Sequence, residues 1–511
     1  MAFPATDWVA HHARHRGNSL ALGCADDGRT TTWEELEERV ARLATTLQVL
    51  GVERGGRVAL IAENDPRVFE VQFACMRLGA LFVPLNWRLH VSELQDICLD
   101  ARPCLIVHDG QWADSAVAIA EKAQISHRIS WSSPVDVTDY ESAIASAEPL
   151  RATGEVSLDD PTHILYTSGT TGKPKGALST NETLVWQALN TAHVIGYSQP
   201  GCHHLNPMPL FHAGGLQVMA NPILYFGGAV TTMARFAPDK VLEHLTNSEP
   251  PITHFAAIPL MYQGIANQPG FATADFSNLR HGLVAGAIAT PELLQLWADR
   301  GTALQPQYGG TEMGPMATAL DNESENVDRA KKGSTGRKAL HTQIRLVDAG
   351  GNDVEVGVTG EIWLQGPSIT AGYWERNKAD FFTEDGWFRT GDAAYCDAEG
   401  FYYLAGRVKE MFKSGGENIY PAEVENVLSL FPGVRDVGVV GIADQEWGEV
   451  GLAVVVPEEG VRISLDDLNS YAAQRLAKYK LPKRLVLVDD LPRNATGKLS
   501  RERLRTDYDG I

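Results

Sequence analysis

The sequence of 511 residues lacks the features that mark membrane-spanning, secreted or nucleic-acid-binding proteins. No apolar run approaches the ~18 residues that a membrane-spanning helix requires. The N-terminus has no basic stretch followed by an apolar one, so no secretory signal is predicted. Acidic residues outnumber basic ones by 64 to 44, and the net charge of −20 argues against a general binder of nucleic acids or anionic membranes.

Cysteine is also scarce, with six residues and neither a C-x-x-C pair nor a metal-ligand spacing. Scattered cysteines in a chain of this length are typical of reduced thiols, so we expect a cytoplasmic protein. The sequence is compatible with a homodimer but contains nothing that requires one.

Alternating helix and strand patterns dominate the part of the chain before residue 344. Thr32–Leu50 has apolar residues at helical spacing behind a capping threonine, and the apolar segment Arg57–Ala62 follows it as a predicted buried strand. Such alternation predicts layered α/β structure with a largely parallel sheet. From about Ile344 the pattern changes to short strands and glycine turns, and the last hundred or so residues read as a separate small α+β unit.

The tract Tyr166–Gly176 contains four small hydroxyl side chains, three glycines and two lysines within eleven residues. Glycines allow backbone N–H groups to surround an anion, hydroxyls donate to its oxygens, and lysines supply charge. The tract therefore suits a polyphosphate, although its spacing differs from that of the P-loop of NTPases. The alternative is an ordinary solvated loop between two elements.

Seven motifs, taken together and in order, resemble those of the adenylate-forming enzymes, the family of acyl- and aryl-CoA synthetases, adenylation domains and firefly-type luciferases. The motifs are Tyr166–Gly176, Pro209–Gly215, Tyr308–Glu312, Thr390–Asp392, Gly406–Glu410, Ser414–Glu425 and Pro492–Lys498. The resemblance extends over nearly the whole chain. It implies a large N-terminal domain (1–406) of layered α/β subdomains with a small β-rich subdomain, followed by a mobile α+β lid (407–511).

The chemistry of Tyr308–Glu312 suits a nucleotide, because a tyrosine can stack on a base, a threonine can contact a phosphate and a carboxylate can hold Mg²⁺. The resemblance assigns Glu312 to Mg²⁺, Tyr308 to adenine, and Asp392 to the ribose hydroxyls. It also implies further ATP or AMP contacts. These are Thr167, Ser168, Gly169, Thr170, Thr171, Gly172, Lys173, Lys175, Gly286, Ala287, Thr311 and Arg407.

Catalysis is assigned to Lys498, Glu312 and His212 by the same resemblance. Attack of a carboxylate on a phosphate brings two anions together, so a cation such as Lys498 between them lowers the barrier. His212 matches an aromatic position that gates the acyl pocket, and Lys409 matches the hinge of the lid. Three of these residues have an ordinary alternative. Lys498 could be a solvated lysine, His212 a buried core histidine and Lys409 an unremarkable surface charge.

Coenzyme A contacts are implied for Arg88, Trp447, Tyr479 and Lys480, and the turn Gly415-Gly416 matches the lining of the pantetheine tunnel. The chain departs from some relatives at Leu481, where they have a second arginine near the CoA phosphate. Lys480 or Lys483 could substitute for it, and Trp447 could equally be a packing residue.

The acyl pocket is expected to be lined by Asn190, His212, Phe255, Ala285 and Gly309. Small residues after His212 leave volume for an aromatic or medium-chain hydrophobic acid, and no charged side chain stands out there to hold a second charge. Asn190 could bond a ring substituent or be an exposed helical residue.

The sequence therefore predicts an ATP-dependent carboxylic acid–CoA ligase that forms an acyl-adenylate with ATP, Mg²⁺ and coenzyme A. The alternatives are an enzyme that loads a phosphopantetheinyl carrier protein, a luciferase-like oxygenase, and a non-catalytic binding protein of the same fold.

Overall fold

The structure is a computed structural model and describes residues 3–132, 137–151, 156–167, 174–196, 201–322, 326–493 and 499–508. The chain divides into two compact units. The first unit comprises Met1–Gln343 and Leu364–Phe388, and the second comprises Ile344–Trp363 and Arg389–Ile511.

The helices of the described residues are, in chain order, α1 (Trp8–Arg16), α2 (Trp33–Val49), α3 (Arg67–Leu78), α4 (Val91–Ala101), α5 (Ala113–Ala123), α6 (Tyr140–Ser146), α7 (Asn181–Ile195), α8 (Ala213–Gly215), α9 (Asn221–Tyr225), α10 (Pro238–Asn247), α11 (Pro259–Ala266), α12 (Pro291–Ala298), α13 (Asn326–Lys331), α14 (Pro421–Leu428), α15 (Leu465–Ala472) and α16 (Arg501–Asp507).

The strands are β1 (Leu20–Cys24), β2 (Thr30–Thr32), β3 (Arg57–Ile61), β4 (Leu81–Pro84), β5 (Leu105–Asp109), β6 (His127–Trp131), β7 (Thr138–Asp139), β8 (Pro161–Thr167), β9 (Lys175–Thr180), β10 (His203–Asn206), β11 (Ala229–Thr232), β12 (His254–Ala257), β13 (His281–Val284), β14 (Leu304–Tyr308), β15 (Thr318–Ala319), β16 (Arg337–Lys338), β17 (Gln343–Val347), β18 (Gly360–Gln365), β19 (Phe388–Cys396), β20 (Tyr402–Arg407), β21 (Phe412–Ser414), β22 (Glu417–Ile419), β23 (Val434–Asp444), β24 (Gly448–Pro457) and β25 (Arg484–Leu487).

Two sheets form the framework of the first unit. Within the described residues one has the strand order β7-β6-β5-β3-β4-β8-β9 and the other β16-β15-β14-β13-β12-β10-β11-β1-β2. The central pairs β3–β4, β3–β5, β10–β11, β12–β13 and β13–β14 are parallel, whereas β9 runs antiparallel to β8. The predicted layered α/β structure with a largely parallel sheet is confirmed.

Local sequence signals explain where several helices and strands begin and end. Thr32 accepts a hydrogen bond from the N–H of Glu35, whose carboxylate accepts from the N–H of Thr32, and this capping box begins α2 at Trp33. The predicted strand at Arg57 is β3. Ser464 accepts a hydrogen bond from the N–H of Asp467 and caps α15, which ends at Ala472 and is followed by turns.

The second unit contains a four-stranded sheet, β17-β18-β19-β20, and a sheet with the order β22-β21-β24-β23, in which β25 pairs with β24. The long hairpin β23–β24 buries Val439, Leu452 and Val454 between α14–α15 on one side and α16 on the other. The change of pattern expected near Ile344 coincides with the start of this unit. The predicted lid boundary at residue 407 lies within it, next to β20, and stays a prediction.

All six cysteines lie in the described ranges, and none of them forms a disulfide bond there. None of the helices in those ranges combines the length and apolar character that crossing a bilayer demands.

Candidate active site

The Gly/Thr tract connects two antiparallel strands of the first unit. Thr167 ends β8 and lies opposite Lys175, which begins β9, so the two ends of the tract are paired. Among its predicted nucleotide contacts, Ser168, Gly169, Thr170, Thr171, Gly172 and Lys173 lie outside the described residues. Because β4 and β8 are parallel neighbours, Thr167 lies at the carboxyl end of the parallel strands, where α/β sheets bind ligands.

Glu312 lies against this hairpin. Its Oε1 accepts hydrogen bonds from the Thr167 hydroxyl at 3.0 Å and from the Tyr373 hydroxyl at 2.9 Å. The backbone carbonyl of Glu312 accepts from the N–H of Thr370 at 2.9 Å. Residues far apart in sequence therefore hold this carboxylate at the end of β8, and its assignment to Mg²⁺ stays a prediction.

Tyr373 and Phe381 are site residues that the sequence reasoning missed. The ammonium of Lys175 lies 4.8 Å from the ring centroid of Phe381 and 5.7 Å from that of Tyr373, within the range of cation–π attraction. The backbone bridge between Ala177 and Tyr373 brings this segment to β9. No local motif announces the pairing, and only the aromatic content of the segment 373–382 could have drawn attention to it.

The predicted nucleotide and acyl residues near positions 285 and 308 share one edge of the second sheet. Ala285, Gly286 and Ala287 follow β13, and Tyr308 and Gly309 follow or end its parallel neighbour β14. A Cβ on Gly309 would stand 2.1 Å from the carbonyl oxygen of Pro315, so only glycine permits this close approach. Thr311, in the following turn, is buried.

His212 caps a distorted helix. Its Nδ1 accepts a hydrogen bond of 3.0 Å from the N–H of Gly214, and α8 passes into a π-helical segment, Leu216–Ala220. Single π-helical turns are frequent at functional sites. The ring is half-buried, so the core-histidine alternative does not describe it fully, and its gating role stays a prediction.

Asn190 and Phe255 are more deeply buried than pocket-lining residues usually are. Asn190, on α7, is 1% exposed, so the alternative of an exposed helical residue is wrong. Its amide nitrogen donates to the hydroxyls of Thr342 and Ser368, at 3.2 and 3.3 Å, and its oxygen accepts from the N–H of His341 at 2.9 Å. Phe255, on β12, is fully buried and packs edge-to-face on Tyr262 at 5.4 Å.

In the second unit Asp392 and Arg407 face each other across β19 and β20. The guanidinium Nε of Arg407 lies 2.7 Å from Oδ1 of Asp392. The N–H of Asp392 also donates to the Thr390 hydroxyl at 3.0 Å, so the turn presents the carboxylate in a defined direction. The predicted ribose-binding pair is thus preassembled. Lys409 is exposed in the turn after β20, and Lys498 lies outside the described residues.

The predicted tunnel turn Gly415-Gly416 is a two-residue hairpin loop between β21 and β22, with φ of +59° and +90°. Positive φ at both positions is typical of the type I′ turn and favours glycine. A Cβ on Gly415 would lie 2.7 Å from Cε3 of Trp447, and the N–H of Gly415 donates to the Trp447 carbonyl at 2.9 Å. Trp447 therefore packs on this turn while remaining 39% exposed.

The two lysines proposed to replace an arginine at position 481 differ in their surroundings. Lys480 forms an ion pair with Glu423, whereas the ammonium of Lys483 lies 3.4 Å from the ring centroid of Trp447. Tyr479 is 39% exposed on the same turn as Lys480. Both lysines therefore lie next to a predicted CoA residue, since the ammonium of Lys480 is 5.7 Å from the ring centroid of Tyr479.

Arg88 lies in the first unit, after β4, with its guanidinium 4.9 Å from the ring centroid of Trp87 and 5.7 Å from that of Phe211. It is therefore adjacent to the segment that contains His212.

The donor set fits Mg²⁺ held partly by a nucleotide. Among the described residues no group of three or more His, Cys, Asp or Glu side chains could hold a metal ion alone. Mg²⁺ often takes one or two carboxylates and completes its shell with phosphate oxygens and water. Glu312, beside the phosphate loop, provides such a carboxylate.

Comparison with known proteins agrees with this geometry. The model of the AMP-binding enzyme family matches residues 9–374, and that of the AMP-binding enzyme C-terminal domain matches residues 423–498. A feruloyl-CoA synthase from Amycolatopsis sp is 38% identical over 98% of both chains. An indoleacetate–CoA ligase from Aromatoleum aromaticum is 36% identical over 98% of this chain and 97% of its own.

Solved structures lead to the same family. ATP-bound MatB from Rhodopseudomonas palustris has a TM-score of 0.88 at 29% identity and covers 98% of this chain and 99% of its own. The o-succinylbenzoate CoA synthetase of Bacillus subtilis, in complex with its acyl-adenylate intermediate, has a TM-score of 0.86 at 29% identity, covering 99% and 98%. The resemblance inferred from the motifs is confirmed: the chain belongs to the AMP-binding family of adenylate-forming enzymes.

Proposed function

We propose that this protein is an ATP-dependent, AMP-forming acid–CoA ligase that activates a hydrophobic aromatic acid through an acyl-adenylate. The observation that carries the proposal is the Glu312 carboxylate, held by Thr167 and Tyr373 at the mouth of the Gly/Thr hairpin. The relatives that cover nearly the whole chain are CoA ligases, in agreement with the sequence-based prediction.

The first step joins the acid to the α-phosphate of ATP and releases pyrophosphate. Thr167 and Lys175 flank the loop that would hold the phosphates, and Glu312 would hold Mg²⁺, which supplies charge neutralisation when bound. Asp392 would accept the ribose hydroxyls. Lys498 would stand between the two anions. The acid needs no general base, since carboxyl groups with a pKa near 4–5 are ionised at neutral pH.

The second step transfers the acyl group to the thiol of CoA. AMP is a far better leaving group than hydroxide, so the mixed anhydride reacts readily once the thiol arrives. The Gly415-Gly416 turn would line the path of the pantetheine arm, and a lid rotation about Lys409 would exchange Lys498 for that turn. The boundaries of the moving part, a homodimer and a cytoplasmic location stay predictions.

Aromatic substrates are favoured over medium-chain ones by the relatives with the highest identities given above, which act on feruloyl and indoleacetate groups. The side chains predicted to line the pocket are uncharged apart from the titratable His212, which suits a substrate without a second charge. Asn190 has a structural role rather than the predicted contact with the acid, since both hydrogens of its amide have protein acceptors.

A substrate panel tests the function directly. Ferulate, indoleacetate, benzoate and C4–C12 fatty acids would be incubated with ATP, Mg²⁺ and CoA, and AMP and acyl-CoA measured by mass spectrometry. We expect an aromatic acyl-CoA and equimolar AMP. Acyl transfer only to a phosphopantetheinyl carrier would favour the carrier-loading alternative, and the absence of AMP with every acid would favour a non-catalytic protein.

Lys498→Ala separates the two half-reactions. We expect ATP–pyrophosphate exchange to fall at least about 100-fold, as for loss of a group that stabilises charge in the transition state. Thioester formation from supplied acyl-adenylate should be largely retained. Equal loss in both assays would contradict the role assigned to Lys498.

A further inference from the structure

A compact group of two arginines and two aromatic rings lies in the first unit. The guanidinium carbons of Arg88 and Arg235 are 4.9 and 5.4 Å from the ring centroid of Trp87. Phe211 packs edge-on against the same indole at 6.2 Å. We call this group the Trp87 cluster, consisting of Trp87, Arg88, Phe211 and Arg235.

The cluster is built at the carboxyl ends of strands from both sheets. Trp87 and Arg88 follow β4, and Arg235 follows β11. The buried side chain of Asn64, which follows β3 of one sheet, forms three hydrogen bonds to backbone that follows strands of the other sheet. Its amide nitrogen donates to the carbonyls of Met208 and Met233, and its oxygen accepts from the N–H of Leu210. The arginines therefore project from a braced framework, which favours ligand binding.

The cluster is short of negative charge. In the described part of the chain, the carboxylate that forms an ion pair with Arg235 is that of Glu63, while Arg88 has no ion pair. The nearby carboxylate of Asp26 accepts from the N–H of Ala234. Burial, followed by the proximity of Arg235, lowers the pKa of Arg88. An anion placed between the two guanidinium groups would relieve this repulsion, and guanidinium forks suit phosphate oxygens.

A cavity of about 220 Å³ opens beside the arginines and is lined by Asn64, Trp87, Arg88, Pro207, Arg235 and Phe236, among others. Sites for whole small ligands usually have ~300–1,000 Å³. The cavity therefore suits one end of a larger molecule: a phosphorylated group with a flat ring that can lie against Phe236 and the prolines.

We propose that Arg235 acts with Arg88 to bind the 3′-phosphate of coenzyme A, with Trp87 orienting both guanidinium groups. This inference rests on the proposed function, in which CoA is the second nucleotide-bearing substrate. The phosphate loop has its own cation, Lys175, which lies on Tyr373 and Phe381 rather than on Trp87.

The test compares CoA with 3′-dephospho-CoA, which lacks only the phosphate in question. Arg235→Met preserves the length of a side chain that is 66% exposed, so folding should be retained. We expect the KM for CoA to rise about tenfold, the size typical of losing one charge-assisted hydrogen bond, while the KM for dephospho-CoA changes less than about twofold. The matched control is Arg345→Met, because Arg345 also lies over a tryptophan, Trp363, and pairs with one carboxylate, Asp353. It should leave both KM values unchanged.

For Glu63→Gln we expect the KM for CoA to change in the direction opposite to that for Arg235→Met. Removal of the carboxylate that competes for Arg235 should lower the KM for CoA about two- to threefold and leave that for dephospho-CoA unchanged. Equal changes for both CoA forms in Arg235→Met, or no change in either, would overturn the inference. A selective rise in the KM for ATP would assign the cluster to the other nucleotide and would overturn it as well.

A binding experiment separates this inference from the proposed function. Adenosine 3′,5′-bisphosphate, the nucleotide end of CoA, would be titrated calorimetrically into protein saturated with ATP and Mg²⁺. Binding that weakens at least fivefold in Arg235→Met supports the inference even if the acid is still unidentified. Equal binding by wild type and variant refutes it, whereas a wild-type protein that forms no thioester with any acid refutes only the proposed function.

Discussion

Replacement of Asn190 by alanine should destabilise the first unit more than it affects binding of the acid. The side chain joins α7 to two distant segments through three hydrogen bonds, to His341 N–H and to the Thr342 and Ser368 hydroxyls. The two hydroxyls lose only a donor and can still donate their own hydrogen elsewhere, whereas the backbone N–H of His341 loses its acceptor. An orphaned buried donor costs about 1–3 kcal/mol, and each lost bond adds about 0.5–1.5 kcal/mol.

The net destabilisation is therefore about 2–4 kcal/mol, after allowance for partial relaxation. For a unit of this size the entropy of unfolding converts that to a fall of about 3–5 °C in the midpoint of the corresponding calorimetric transition. The assay is differential scanning calorimetry of the whole chain, with the KM for the acid measured in parallel. Asn267→Ala is the control, because Asn267 is an exposed asparagine with one side-chain hydrogen bond.

Asn267→Ala should change the midpoint by less than about 1 °C, as exposed substitutions do. The reasoning would be refuted if Asn190→Ala melted like the wild type while the KM for the acid rose tenfold. That result would restore Asn190 to the substrate contacts predicted from the sequence.

Three further predictions concern the metal site, the tunnel turn and acid stability. Glu312→Gln keeps an acceptor for the hydroxyls of Thr167 and Tyr373 but removes the negative charge. ATP–pyrophosphate exchange should therefore fall at least about 100-fold, with little change in the melting temperature. Exchange within threefold of the wild-type rate would exclude Glu312 as the Mg²⁺ ligand. Gly415→Ala should slow thioester formation about tenfold, because its Cβ would meet Trp447. Gly460→Ala should not slow it, because Gly460 also has a positive φ (+79°) but no neighbour within 4 Å. Equal effects of the two substitutions would remove the steric argument. Burial lowers the pKa of five histidines, to about 3 for three of them and about 4 for two: His163, His204, His254, His12 and His203. Histidines of the unfolded chain bind protons below about pH 6.5, whereas these folded side chains do not. Each of the five histidines should therefore lower the free energy of unfolding by up to about 1.4 kcal/mol per pH unit between pH 6.5 and 5. Equal free energies of unfolding at pH 7.5 and pH 5 would contradict this.

The residue types of the predicted nucleotide site could be identified from the sequence because they belong to local motifs, and their roles stay predictions. The Gly/Thr tract, Glu312 and the Asp392–Arg407 pair are recognisable from residue types and spacing, and the structure brings Glu312 to Thr167 and Asp392 to Arg407. The sequence did not predict the contacts of Tyr373, Phe381 and Arg235, because their partners lie far away in sequence and no repeat or spacing connects them.

Burial was the property hardest to infer. Asn190 could be an exposed helical residue as far as the sequence shows, because one polar position on a helix does not reveal what packs over it. In the structure the segments at 341–342 and 368 cover that position and use its amide. Phe255 is similar, since a phenylalanine on a strand can line a cavity or, as here, fill the core against Tyr262.

The sequence by itself determined the layered α/β class, the family and the residue types of the motifs, because capping, hydrophobic period and motif spacing are local properties of the chain. Only the tertiary structure decided which side chains meet: that Glu312 is held from two sides, that Asn190 is a brace, and that Arg235 joins Arg88 on Trp87. Contacts of this kind depend on how strands from separate parts of the chain are ordered in the sheets, and that order is set by packing of the whole unit rather than by any one segment.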